Sequence, residues 1–457
     1  MKREPTPLGR AQRALELVQD KVRYLAVDMN GGNYIPQKPA RTWEVRYGDC
    51  KAKTLLLLGI LHAMQIEAEP VLANIGAGDL VPQRLPSAQA FNHVLVRASI
   101  AGDSLWLDGT GAGSRLADIH DTPPLGHVLP VRLGGADLIE IAFRADARPM
   151  VDLSVEADES ASSDLPSVFN AVATVRGPDA AMLPIAASQV GEKEKRKLIA
   201  AFFQRFLGEA QISEANLTPD PAGGLVKLVA RGVVTSPWTT AERKRKRSLT
   251  SVSLEFSPDR GRPAWQAIPV AMGPMNMRYR LRLRLPEGGR GYAVEGEPDL
   301  KARLAGYDIV RTTRVESGIV TVDERIDWSR PEIPAAEIAG ERDKVATAKA
   351  RSPKVVAPEN YRRRWDLTTG DLAGSTQVKG IEETFAKAIA NDPDEMTGYQ
   401  SRASYRIGIG DRRGALGDLT RAIALAPSIQ LYLQRASVNY ELGNAAAAAA
   451  DAEAARQ

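Results

Sequence analysis

The chain has 457 residues, 44% of them hydrophobic, and a formal net charge of +4; at roughly 100–200 residues per domain this implies several domains, each able to bury a core. Sixty basic against 56 acidic side chains is too even a balance for a surface built to hold nucleic acid. One cysteine, Cys50, excludes an internal disulfide framework and any thiolate-rich zinc or iron–sulfur centre.

The opening Met1-Lys2-Arg3-Glu4-Pro5 leads into a polar helix rather than an apolar signal core, so no export signal is expected in the sequence as it stands. On that reading the chain is cytoplasmic, or periplasmic if a preceding domain and signal are missing. The densest apolar run, 55–61, falls far short of the ~20 residues of a membrane span. Residues 8–26 place Leu8, Ala14, Leu15, Leu17, Val18, Val22 and Leu25 at near-helical spacing, predicting an amphipathic first helix. Gly31, Gly32, Pro36 and Pro39 make 30–41 a loop. A second helix begins at Cys50 and runs to Gln65, apolar almost all round after its first turn, as in a helix buried on several sides. Segments 70–74, 91–99 and 104–107, rich in Val, Leu and aromatics, read as strands. Helix followed by strands is an α+β order.

From about 150 to 335 strands dominate. In 277–285 Met277, Tyr279, Leu281, Leu283 and Leu285 fall on one face and Arg278, Arg280, Arg282 and Arg284 on the other. Those arginines read as the solvated face of an antiparallel sheet, paired to acids on neighbouring strands, rather than as a polyanion site; 243–247 (RKRKR) reads as an exposed hairpin or loop. Leu198, Ile199, Phe202, Phe203 and Phe206 make a helix packed on the sheet and ended by Gly208. Residues 336–378 lose the apolar pattern and predict a linker. Beyond it FAKAIANDP, ending at Pro393, is matched by LTRAIALAP, ending at Pro427, at an offset of 34, and Gly410 matches Gly443 at 33. This resembles the tetratricopeptide repeat, a helical-hairpin module expected to hold a protein partner.

The chemistry-bearing candidates lie early in the chain. In Tyr47-Gly48-Asp49-Cys50-Lys51 the cysteine stands where the apolar helix begins, facing unpaired N–H groups and the positive end of the helix dipole, which favour the thiolate; Lys51 and Lys53 add to that field. A buried structural cysteine is the alternative. His93 lies in one strand and Asp108 closes the next, joined through Ala101-Gly102-Asp103, so antiparallel neighbours can set the two side chains on one face. A thiolate, a base and a group that holds the base's tautomer are the parts of nucleophilic acyl transfer, and this order is that of papain-like enzymes.

Arg46-Tyr47-Gly48-Asp49-Cys50-Lys51, the helix LLLLGILHAMQIEAEPVL, Leu85-Pro86-Ser87, Phe91-Asn92-His93-Val94 and Trp106-Leu107-Asp108-Gly109-Thr110 resemble the transglutaminase-like core of bacterial multidomain proteins, over about residues 8–135. The resemblance implies Cys50 as nucleophile, His93 as general base and acid, and Asp108 as the residue orienting the imidazole. It implies cysteine peptidase, amidase or acyl-transferase chemistry on a protein or peptide, with the Cys50 backbone N–H and a second donor holding the oxyanion. Trp43 and Tyr34 are candidates for that donor, with packing as the alternative role for each. Asn92 is read as structural, His62 as packing, and His120 and His127 as loop residues without ligand spacing.

Three departures stand out. Ala52 replaces the acid relatives usually carry, Gln65 stands where they usually have Gly, which in a left-handed cap costs about 1–2 kcal/mol, and many relatives begin with a further β domain. No HExxH, CxxC or acidic triplet occurs, so neither metal nor cofactor is implied. The expected architecture is thus a multidomain chain: an α+β papain-like transglutaminase core over 1–135, a β-rich domain over 136–335, a linker over 336–378 and an all-α tetratricopeptide region over 379–457. The alternative function is a non-catalytic scaffold with a degenerate core, disfavoured by the intact Cys50, His93 and Asp108. Acetyl transfer from coenzyme A ranks lower for want of a phosphate-binding signal. The sequence sets no oligomeric state.

Overall fold

A computed structural model describes residues 4–25, 35–76, 78–235, 237–250, 254–367 and 375–456. Helix α1 (Pro7–Lys21) starts where the sequence gives it a cap and a stiff first turn: Thr6 accepts from the Gly9 N–H at 3.0 Å and Pro7 follows. It stops earlier than the periodicity extends, because the chain turns extended at Val22 and enters strand β1 (Arg23–Tyr24). Helix α2 (Pro39–Val45) and strand β2 (Tyr47–Gly48), which pairs in parallel with β1, lead into α3 (Cys50–Ala63). Leu57 and Leu61 of α3 are fully buried against Ala11, Ala14, Leu15 and Val18 of α1. Each such leucine contributes about 1.5–3 kcal/mol of burial.

Strands β3 (Glu67–Ala73), β4 (His93–Ile100), β5 (Asp103–Leu107), β6 (His127–Pro130) and β7 (Ile139–Glu140) form one sheet in the order β5-β4-β3-β6-β7. Val96, Ala98, Leu105 and Leu107 join the helical core, whereas Leu95 faces Val71, Leu125 and Val128. The α3 helix is thereby covered on more than one side, as its nearly uniform apolarity requires.

Next comes a large sheet built from β8 (Val151–Asp158), β9 (Ser167–Arg176), β10 (Ala210–Asp220), β11 (Leu225–Val234) and, later in the chain, four more strands. A hairpin, β12 (Trp238–Ala241) with β13 (Lys244–Ser248), precedes the short β14 (Val270–Ala271) and then β15 (Met277–Arg284). After β16 (Ala293–Glu295) follow β17 (Leu300–Leu304), β18 (Tyr307–Glu316), β19 (Ile319–Trp328) and β20 (Glu332–Ile333). Among the described residues the large sheet has eight strands in the order β10-β11-β9-β8-β15-β19-β18-β17, antiparallel except where β8 meets β15. Helices α4 (Pro178–Ser188) and α5 (Glu192–Leu207) pack on it through Ala180, Ile199, Phe202 and Phe203, and α5 ends at Gly208, whose φ of 71° suits glycine. The arginines of β15 meet acids on both neighbours, Arg278 with Asp323 at 2.7 Å and Arg280 with Asp152. The basic hairpin is more engaged than an exposed loop: Arg247 meets the fully buried Glu159 at 2.8 Å, and Lys244 meets Glu295 at 2.6 Å.

The stretch expected as a linker differs in its first half. Helix α6 (Ile338–Ala350) and strand β21 (Lys354–Val356) belong to the β-rich region, and β21 lies between β13 and β16 in a second, four-stranded sheet. Ile338, Val345 and Val355 are buried in the same core as Leu281 and Leu283. A few apolar side chains spaced among many polar ones suffice when each lands on a preformed sheet.

The C-terminal region is helical: α7 (Thr376–Asn391), α8 (Met396–Gly408), α9 (Arg412–Leu425), α10 (Ile429–Glu441) and α11 (Ala445–Ala454). Ser375, Asp411 and Ser428 cap three of them by accepting from backbone N–H groups. Helix α7 lies on the large sheet, its Phe385 and Ile381 packed with Tyr405 of α8 against Leu165 and Val233. The molecule is thus a mixed α/β, multidomain protein with a β-rich middle and an all-helical C-terminal region. Among the described residues no helix is long and apolar enough to cross a membrane.

Candidate functional site

Cys50 is the first residue of α3 and is 3% exposed. Its position follows from the local sequence: Asp49 caps the helix, its Oδ1 accepting from the Ala52 N–H at 2.9 Å, while Lys51 Nζ meets the other carboxylate oxygen at 2.6 Å. Gly48 is required just before. A methyl group there would stand 2.8 Å from the Ala52 Cβ and 3.2 Å from Thr42 Cγ2. Thr54, one turn along, donates from Oγ1 to the Val94 carbonyl at 3.0 Å and so fixes the cysteine helix to strand β4.

His93 opens β4 and is 2% exposed. The β4–β5 ladder pairs Val96 with Leu107, so Asp108, one residue beyond it, falls opposite Leu95 and diagonal to His93 on the same side. His93 Nε2 and Asp108 Oδ2 are 2.8 Å apart. The carboxylate's other oxygen accepts from the Thr110 N–H at 2.8 Å and the Thr110 hydroxyl at 2.7 Å. Gln19 of α1 holds the Asp108 carbonyl at 2.9 Å and the Ser114 hydroxyl at 3.0 Å. Nδ1 of His93 is buried and no described group meets it in hydrogen-bond geometry, yet Cys50 adjoins the ring closely enough to act on its charge.

Burial is the largest single influence on the imidazole and opposes its protonation. The hydrogen bond to Asp108 and its negative charge, with Cys50 beside the ring, overcome it and raise the pKa to about 9. Burial likewise works against ionised Asp108, but His93 and the Thr110 donors prevail and hold its carboxyl below the usual range. A histidine held cationic between a carboxylate and a thiol is suited to move a proton at Nδ1, the nitrogen on the cysteine side.

The other residues singled out above are not drawn into this cluster. Trp43 packs on the α1–α3 core with the Arg46 guanidinium 3.4 Å above its ring, and no hydrogen bond joins it to Cys50, His93 or Asp108 among the described residues. Tyr34 lies outside the described residues. Asn92 is structural, its Oδ1 accepting from the Ile75 N–H at 2.9 Å. His62, expected to pack, is exposed, with Nε2 2.8 Å from the Ala68 carbonyl. No group of three or more potential metal ligands occurs among the described residues.

Gln19 was not foreseen, since one polar residue on an amphipathic helix carries no signal of what it will meet 89 positions later. Thr110 was within view, two residues after an aspartate, where side-chain to backbone bonds are common. Behind Asp108, where this region joins the β-rich one, a cavity of about 260 Å³ is bounded by Gln19, Asp121, Asp146 and Arg176. Arg148 grips Asp118 with two bonds of 2.8 and 2.6 Å, and Arg176 of β9 meets Asp146 at 2.7 Å and Asp121 at 3.2 Å, the last tying the loop after β5 to the large sheet.

Neither a protein-family model nor a curated protein matches the chain. A solved structure described as a "putative protease" from Parabacteroides distasonis ATCC 8503 is similar over 78% of this chain and 53% of that one, at 12% identity and a TM-score of 0.39. The chain therefore spans about half the length of that protein.

Proposed function

We propose that the protein is a thiol-dependent amide-bond hydrolase or acyl transferase of the transglutaminase-like kind, acting on protein or peptide substrates. One observation carries the reading: Cys50, at the start of a helix, adjoins an imidazole that Asp108 holds from its far side at 2.8 Å. In this mechanism the Cys50 proton resides on His93, the Cys50 thiolate attacks a carboxamide or peptide carbonyl, and the helix-start N–H groups hold the oxyanion. His93 gives its proton to the departing amine, leaving an acyl thioester. Water or a second amine then takes the acyl group, with His93 accepting the proton of the incoming nucleophile. Residues 1–135 are assigned as the papain-like core and 379–457 as tetratricopeptide repeats that hold a protein partner, with the β-rich region between them shaping substrate access.

The experiment is a peptide-library assay with and without an added primary amine, run on the full chain and on Cys50→Ala. Cleavage or amine incorporation that disappears with Cys50→Ala supports the reading and tells hydrolysis from transfer. A second reading, a non-catalytic scaffold, draws on the burial of both Cys50 and His93. It predicts that iodoacetamide labels Cys50 no faster than a model thiol and that His93→Ala leaves that rate unchanged.

A further inference from the structure

Lys53 is buried to 1% exposure and lies one turn along α3 from Cys50. Its Nζ donates to the carbonyl of Val22, the residue that ends α1. The turn after β5 rests directly on its stem: a methyl group on Gly109 would stand 3.4 Å from Lys53 Cβ and 3.2 Å from Val18 Cγ1. No carboxylate of the described residues comes within ion-pair distance of the ammonium. The acids that act on it are Asp108, above, and Asp20, from α1. Burial outweighs both and lowers its pKa to about 8. An apolar side chain of like length would fill this space without the cost of burying a charge, so packing alone does not account for an amine here.

We propose that Lys53 is a positioning residue of the Cys50 site: its ammonium fixes the end of α1 against the helix that presents the cysteine, and its charge beneath Asp108 loosens the carboxylate's hold on the His93 imidazolium. The inference rests on the acyl-transfer reading. An imidazolium gripped by an unopposed buried carboxylate is a poor acid, whereas the leaving amine needs His93 to release its proton. His93 is faced by Cys50 from α3 and by Asp108 from the turn after β5, and Lys53 by Asp108 and by Asp20. Lys51, the neighbouring cation on α3, is already paired with Asp49. When Lys53 loses its proton near pH 8 the opposition lapses, so His93 becomes a weaker acid before it titrates itself at about 9.

The test follows the Cε1 proton resonance of His93 in the full chain, assigned by its loss in His93→Gln, across pH 6 to 10.5. In the wild type we expect an inflection near 8 from Lys53 ahead of the main one at about 9. Lys53→Met removes the first and leaves the second near 9, where Lys53 is already neutral in the wild type, whereas Lys53→Arg keeps the charge throughout, removes the first and lowers the main inflection by about half a pH unit or more. Asp20→Asn, on an exposed carboxylate, leaves Lys53 in place and moves only the first inflection, to lower pH; it serves if Lys53→Met does not fold. A single inflection unmoved by Asp20→Asn, or a main inflection that stands at the same pH in Lys53→Arg as in Lys53→Met, overturns the proposal. The titration needs no turnover, so absence of Cys50-dependent activity with both inflections present defeats the acyl-transfer reading and leaves the Lys53–His93 coupling standing.

Discussion

His93 meets Asp108 through Nε2, at 2.8 Å, and this leaves Nδ1 as the ring nitrogen on the Cys50 side. In the proposed mechanism the carboxylate thereby selects which nitrogen exchanges a proton with the sulfur. Asp108→Asn keeps the size of the side chain but lets its amide nitrogen face the ring, permitting the wrong tautomer. Cys50-dependent turnover is expected to fall by about 10²–10⁴-fold, and the His93 titration to drop from about 9 toward 6.5. Peptide turnover and the imidazole resonance report the two effects separately.

The raised pKa of His93 also sets a pH dependence of stability. The folded protein binds a proton there up to about pH 9, while the unfolded chain releases it around 6.5. The stabilisation is therefore complete below about 6.5 and is lost as pH rises through about 9. Melting temperatures taken from pH 6 to 10 should decline more steeply for the wild type than for His93→Gln. Parallel curves would show that the imidazole is not held cationic.

Gln65 adopts φ of 58° at the end of the cysteine helix, the left-handed conformation in which a side chain is costly. Replacing the exposed Gln65 by glycine removes that cost and should stabilise the protein by about 1 kcal/mol, seen as a raised melting temperature with unchanged Cys50 alkylation.

Gly48 produces the opposite outcome. An alanine at this position drives a methyl group to 2.8 Å from Ala52 Cβ, and relief requires α2 and the start of α3 to part. Gly48→Ala is expected to cost about 1–3 kcal/mol and, unlike Gln65→Gly, to change the alkylation rate, because the shift falls at the residue bearing the thiol.

In the C-terminal helices the buried Asp418 accepts from Arg402 at 2.9 and 2.7 Å and from Arg406 at 2.9 Å. Asp418→Ala leaves both guanidinium groups without that partner and should destabilise the helices by about 3–5 kcal/mol. Limited proteolysis is expected to release fragments from 376–456 while the β-rich region persists.

Much of the site's framework could be read from local pattern. The leucine run after Cys50 marks a helix buried on several sides, and the alternation in 91–99 and 104–107 sets His93 and Asp108 on one side of a ladder; the strained cap at Gln65 is implied only by the resemblance, in which that position is usually Gly. What escaped the reading depends on distant partners. Residues 338–356 are mostly polar and become structure because Val355 pairs with Arg247 across β13, and Val345 reaches a core assembled from earlier strands. Gln19 and Lys53 likewise take their roles from the turn at Asp108, which neither helix announces. The one parallel neighbour in the large sheet, β8 beside β15, has no local mark either, since parallel and antiparallel strands share the same alternation.

That parallel pair bears on how the chain reaches this state. Met277 pairs with Val151 and Arg284 with Asp158, so the centre of the large sheet cannot close until the whole segment between them has been made. The hairpins β8–β9, β10–β11 and β18–β19 join near neighbours in the chain and can form early. The seam between the two halves is a late, non-local step whose loop-closure entropy falls due before its contacts repay it. On an emerging chain, the edges of β8 and β15 stay unpaired through that interval. Acidic Asp152 and Asp158 on the first edge and the arginines of β15 on the second oppose pairing of like edges from different chains, and favour the one union in which the charges match.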